Sequence, residues 1–164
     1  MDPVSYTHLD VYKRQDLMRV RKLIEVDAAR LAAENATDED IRRLEATLQL
    51  HHRYVEDNVD PVDPALDFHL AVTQASHNKF MAAVLSLLAF EEKQIEATIE
   101  VLRTREMGSV YVVEHDDIMQ AIREHNPQRA ESLMEAHMQA ILDEVEKQVE
   151  EFDENNADLP RWIR

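Results

Sequence analysis

From Asp16 onward apolar residues recur at intervals of three and four, with Ala, Leu, Glu, Gln, Arg and Met between them. That period belongs to helices that bury one stripe, and no segment reads as a strand. The first predicted helix, Asp16 to about Glu34, places Leu17, Val20, Ile24, Ala28 and Leu31 on one stripe. Asn35-Ala36-Thr37 breaks it, and Thr37 is placed to cap a second helix, about Asp38 to Asp57, with Asp40 completing a weakened capping box. This helix carries Ile41, Leu44, Leu48 and Tyr54. Asn58 to Pro64 reads as a loop, and Asp63-Pro64 supplies an N-cap and first-turn proline for a third helix running to about Ser76. Asn78 can cap a long fourth helix, Phe80 to about Arg105, which Met107-Gly108-Ser109 ends. A fifth helix covers about Val110 to Glu124, and Asn126-Pro127 opens a sixth, to about Glu151. Short connections make an all-α, antiparallel bundle of about six helices the economical arrangement. Residues 16–151 form the domain; residues 152–164 read as a frayed acidic tail. Residues 1–15, with β-formers mixed in, read as a non-native or disordered leader outside the fold.

Composition narrows the chemistry. The 164 residues include 18 Lys+Arg against 34 Asp+Glu, a net charge of -16, so the chain by itself is not expected to hold a phosphate backbone. One glycine cannot build a phosphate-binding loop or a dinucleotide fingerprint. Without cysteine, a metal must be held by imidazole, carboxylate and water. There is neither a signal-peptide pattern nor an uninterrupted apolar span, so a cytoplasmic address with no membrane partner is expected.

Eight histidines remain to be explained. His51 and His52 are adjacent and cannot share a face; His8 lies in the leader, and His77 and His125 at helix joints. The other three fall on apolar stripes: His69 with Leu66, Val72 and Thr73, His115 with Val112, Ile118 and Ile122, and His137 with Met134, Ile141 and Val145. A buried imidazole needs a hydrogen-bond partner or a metal. Either reading suits these positions: ordinary core histidines, or neutral nitrogen ligands for a divalent ion such as zinc or nickel. No histidine follows a Glu by three residues, which removes the di-iron bundle signature, and there is no His-Glu-x-x-His helix or Gly-x-Ser-x-Gly elbow.

Several motifs in order carry a resemblance: Val20-Arg21-x-x-Ile24-Glu25-x-x-Ala28-Ala29, Asp67-Phe68-His69-Leu70-Ala71-Val72 with Ala75-Ser76-His77-Asn78, Glu114-His115-x-x-Ile118, and Ala130-x-x-x-Met134-x-x-His137. Together they resemble the FCD domain, the C-terminal effector-binding and dimerisation domain of FadR-type regulators in the GntR family of bacterial transcription factors. The resemblance implies a homodimeric bundle that binds a small organic-acid effector beside a divalent metal held by His69, His115 and His137. It carries Arg21 and Asn78 into the effector pocket; the plainer alternatives are that Arg21 pairs with Glu25 and that Asn78 only caps a helix. An aspartate usual in the family four residues before the first histidine is here Ala65, and Asp67 lies about 200° round the helix from His69. Nothing before Asp16 could form a winged helix-turn-helix, so DNA is expected as a partner only through a missing N-terminal domain.

A ligand sensor rather than an enzyme is therefore expected. Two other readings stay open: a metal-dependent enzyme with a three-histidine site, and a ligand-free structural or partner-binding bundle. The enzyme needs a general base beside the metal, and the periodicity points Glu114, Asp116 and Asp117 away from the face of His115.

Overall fold

A computed structural model describes residues 3–57, 59, 62–98 and 107–155. Six helices follow in order: α1 (Pro3–Asn35), α2 (Asp38–Glu56), α3 (Val62–Ala75), α4 (Lys79–Thr98), α5 (Met107–Arg123) and α6 (Pro127–Asn155). The predicted continuation of α4 to Arg105 and the end of the acidic tail lie outside the described residues. At its other end α1 is longer than the periodicity suggests: it runs back to Pro3, through the segment expected to lie outside the fold. Arg14 Nη1 donates to Gln148 Oε1 at 3.2 Å and Gln15 Nε2 to Glu146 Oε1 at 3.2 Å, tying that segment to α6.

Cross-links show the helices running antiparallel. Along α1 and α6 the partners are Arg14–Gln148, Arg19–Glu146, Lys22–Gln139, and His125 Nδ1 on the Ala33 carbonyl just before α6. Across α2 and α5, His52 meets Asp116 and Glu45 meets Arg123. Gln74 and His77 at the end of α3 reach Arg43 and Asp40 near the start of α2.

The stops have local causes. Both His77 and His125 adopt left-handed backbone, at φ 58° and 50°, at the ends of α3 and α5. Glycine is the usual residue there, but histidine tolerates the region, and here each ring is anchored by a hydrogen bond, to Asp40 and to Ala33. At the head of α2 the capping box is complete: Asp40 N–H donates to Thr37 Oγ1 at 3.3 Å, while Asp40 Oδ2 accepts from Thr37 N–H at 3.0 Å.

Burial pushes the Asp40 carboxyl upward, but the hydrogen bonds from Thr37 and His77 outweigh it and hold the pKa at about 2. A carboxyl depressed below its ordinary value stabilises the fold above that ordinary value, and the contribution is lost as pH falls through the native one. Thermal stability should therefore decline from about pH 4 towards pH 2. In an Asp40→Asn variant, stability at neutral pH should be lower and this acid-dependent step smaller, as read from melting curves across that range.

Two apolar clusters form the core. Ala29, Ala32 and Ala33 of α1 pack with Leu44, Phe68, Val72, Ile118, Ile122, Met134 and Met138; Leu17 and Met18 pack with Leu142, Val145 and Val149. Along α1 the gap between the clusters is filled by Arg21 and Glu25, both buried. The expected stripe is thus turned by about one residue. Val20 is partly exposed and Leu23 is 78% exposed, because the inward face is set by a paired charged layer as well as by hydropathy.

Candidate functional site

The polar layer on α1 lies against three histidines from three other helices. His69, His115 and His137 are all buried, and one ring nitrogen from each lies within 4.8 Å of the others. His137 Nε2 is 3.0 Å from His115 Nε2 and 3.2 Å from His69 Nε2. Phe68 stacks on the His115 ring, with centroids 4.4 Å apart, and forms an apolar wall behind it. The three residues singled out from their stripes therefore converge.

The outer nitrogens fix what the inner ones can be. Nδ1 of His137 is 2.6 Å from Glu114 Oε2, and Nδ1 of His69 lies against Glu25 Oε2. Carboxylates only accept, so a neutral His137 bonded to Glu114 through Nδ1 presents a bare lone pair at Nε2, and the contact of His69 Nδ1 with Glu25 favours the same tautomer in that ring. Burial lowers the pKa of His137 despite the pull of Glu114, and lowers that of His115 further below the ordinary value, with His69 and His137 adding to it. Facing lone pairs repel unless a proton or a cation lies between them. Two nitrogens bound about 2.0–2.1 Å from one tetrahedral ion stand about 3.4 Å apart, close to the spacing found here. The donor set fits a divalent ion, and each carboxylate behind a ring is an outer partner of the kind that orients metal-binding imidazoles.

Glu114 corrects the expectation from periodicity. Its Cβ leaves α5 away from His115, yet its long side chain reaches the ring on α6. Asp116 binds His52, and Asp117 is exposed. Asp67 is also exposed on a regular turn of α3, so it does not replace the missing aspartate.

Next to the histidines is a cavity of about 110 Å³, lined among others by Arg14, Arg21, Ala65, Glu92 and Glu144. Ala65 faces this space, which an aspartate at the same position would partly fill. Arg21 is 3% exposed; its Nε donates to Glu25 Oε1 and its Nη1 to Glu92 Oε2, both at 2.6 Å. Burial alone would favour the neutral guanidine, but Glu25 and Glu92 outweigh it and raise its pKa above the ordinary value. Burial likewise pushes Glu25 upward, and Arg21 and His69 together hold it down at about 2. The i, i+4 pair with Glu25 was legible in the sequence; Glu92, 71 residues away, carried no signal.

Asn78 stands apart from this space. Its Oδ1 accepts from the N–H groups of Phe80 at 3.1 Å and Met81 at 3.2 Å, capping α4, and it is not among the cavity-lining residues. A residue absent from the expected site is His51, fully buried, with Nδ1 3.3 Å from His115 Nδ1. Its signal was present: Leu44, Leu48 and His51 continue one stripe at steps of four and three, while His52 points outward.

Buried imidazoles facing a small charged cavity inside an all-α bundle define a ligand-binding helical domain. The chain belongs to the FCD domain family, whose profile matches residues 16–140. It is 30% identical over 128 residues to the HTH-type transcriptional repressor NanR of Klebsiella aerogenes, covering 75% of this chain and 47% of that protein. Similarity to the same-named repressor of Escherichia coli K12 is 26% over 123 residues, covering 75% and 47%. The chain thus spans about half the length of the curated relatives it matches. Among solved structures it is similar to Streptococcus agalactiae GntR, with a TM-score of 0.68 and 25% identity, covering 79% of this chain and 57% of that one. These relatives are transcriptional regulators and not enzymes, as the sequence leads one to expect. Among the described residues no helix is long and apolar enough to cross a membrane.

Proposed function

We propose that this chain is the effector-sensing part of a cytoplasmic GntR-type transcription regulator, with DNA contacted through a separate helix-turn-helix domain. In this reading His69, His115 and His137 hold a divalent ion, zinc or nickel, and a small organic acid binds in the adjoining cavity with its carboxylate towards the ion. The observation that carries the reading is the convergence of three buried imidazoles, with His69 Nε2 and His137 Nε2 3.2 Å apart. The bound ion supplies a positive charge that a carboxylate can ligate; the chain's own residues orient the rings and exclude water.

Arg21 is the buried one of the two arginines lining this cavity, and it is already neutralised by two carboxylates. An effector that engages it must compete with Glu92 on α4. The effector role of Asn78 becomes indirect, through the start of the same helix.

A homodimer is supported by α4, whose Phe80, Val84, Leu87 and Phe90 follow at helical intervals and are 85%, 41%, 61% and 58% exposed. A stripe of that size left in water marks an association surface. The experiment is calorimetric titration of short hydroxy- and dicarboxylic acids into zinc-loaded and chelator-stripped protein, with sedimentation giving the mass. Binding should require the metal and the particle should be a dimer; equal binding by the stripped protein would overturn the metal-bridged reading.

A further inference from the structure

Two of the three converging imidazoles are backed by a carboxylate, Glu25 behind His69 and Glu114 behind His137. His115 is different. The group at its Nδ1 is another imidazole, His51 Nδ1, at 3.3 Å, with the ring centroids 5.2 Å apart. We infer that His51 is the positioning residue for His115: its bare Nδ1 accepts the proton carried by His115 Nδ1, leaving His115 Nε2 free to bind the metal.

Two facing nitrogens form a hydrogen bond only when one bears hydrogen and the other does not. If His51 were the donor, His115 would carry its proton on Nε2, directed at His137 Nε2 3.0 Å away, and could not bind an ion there. With His115 as donor all three Nε2 atoms are lone pairs, and the proton of neutral His51 sits on its own Nε2. That atom is buried and has no hydrogen-bond partner among the described residues.

His51 does not join the inner set, since the nitrogen it meets is the outer one of His115. It also differs from Glu25 and Glu114 in adding no negative charge. The third outer partner is thus a neutral acceptor, and through it α2 acquires a part in ion binding. His52, the next residue, binds Asp116 at the surface and provides a control one position away.

This inference rests on the three-imidazole reading, and its test separates the two. The ¹⁵N-labelled chain loaded with zinc should show His115 protonated at Nδ1 and His51 at Nε2. His51→Phe, which fills the space but cannot accept, should lower zinc affinity about 10–100-fold, the usual cost of losing an outer partner. His51→Asn, which restores an acceptor, should recover part of the loss, and His52→Ala should stay within about twofold of the parent chain, being outside this contact. A folded His51→Phe chain that binds zinc as tightly as the parent would overturn the inference alone, as would a proton on His115 Nε2 in the parent spectrum. If His51→Phe does not fold, that spectrum decides. A parent chain that takes up no zinc overturns both readings.

Discussion

Replacing His137 by alanine is expected to reduce zinc or nickel affinity by more than about 100-fold, beyond the range seen when only an outer partner is lost. The variant keeps two imidazoles and leaves Glu114 without the ring it orients. Because an ion that binds only the folded state stabilises it by about 2.7 kcal/mol at 100 times its Kd, the metal-dependent rise in melting temperature should vanish as well. His125→Ala removes a ring that bonds to the Ala33 carbonyl, away from the cluster, and should leave metal affinity unchanged. Calorimetry with both variants checks this. A His137→Ala chain that binds metal like its parent would show that the convergence of the rings has another cause.

The second large effect concerns stability. Arg21→Met should destabilise the metal-free domain by about 3–5 kcal/mol, because Glu25 and Glu92 would be left buried without their cation. For a chain of this length that corresponds to a fall in melting temperature of roughly 6–20 °C. The triple variant Arg21→Met, Glu25→Gln, Glu92→Gln should regain much of the loss, since it removes the unpaired charges along with the pair. Melting curves of the two variants test this; an Arg21→Met chain as stable as the parent would mean that the carboxylates find water or another partner. The same network links α1 to α4, the helix with the exposed apolar stripe.

Helix positions were legible because the three-and-four periodicity, Thr37, Asn78 and Asn126-Pro127 act locally. The three histidines were legible for the same reason, each lying on an apolar stripe. What escaped was contact across helices. Glu92 meets Arg21 from 71 residues away, and no periodicity reports that pairing. Glu114 was assigned by the direction of its Cβ, whereas its reach decides what it touches. His51 was set aside for being adjacent to His52, although neighbours on a helix face about 100° apart and one of them can be buried. The stripe on α1 was misplaced by about one residue because hydropathy assigns Arg21 and Glu25 to the surface, while Glu92 and His69 make their burial tolerable.

X-ray absorption at the metal edge of the zinc-loaded chain tests the central claim most directly. The expected result is one ion per chain with three imidazole nitrogens at about 2.0–2.1 Å and oxygen in the remaining positions. An ion surrounded by oxygen alone, or by fewer than three imidazoles, would contradict it.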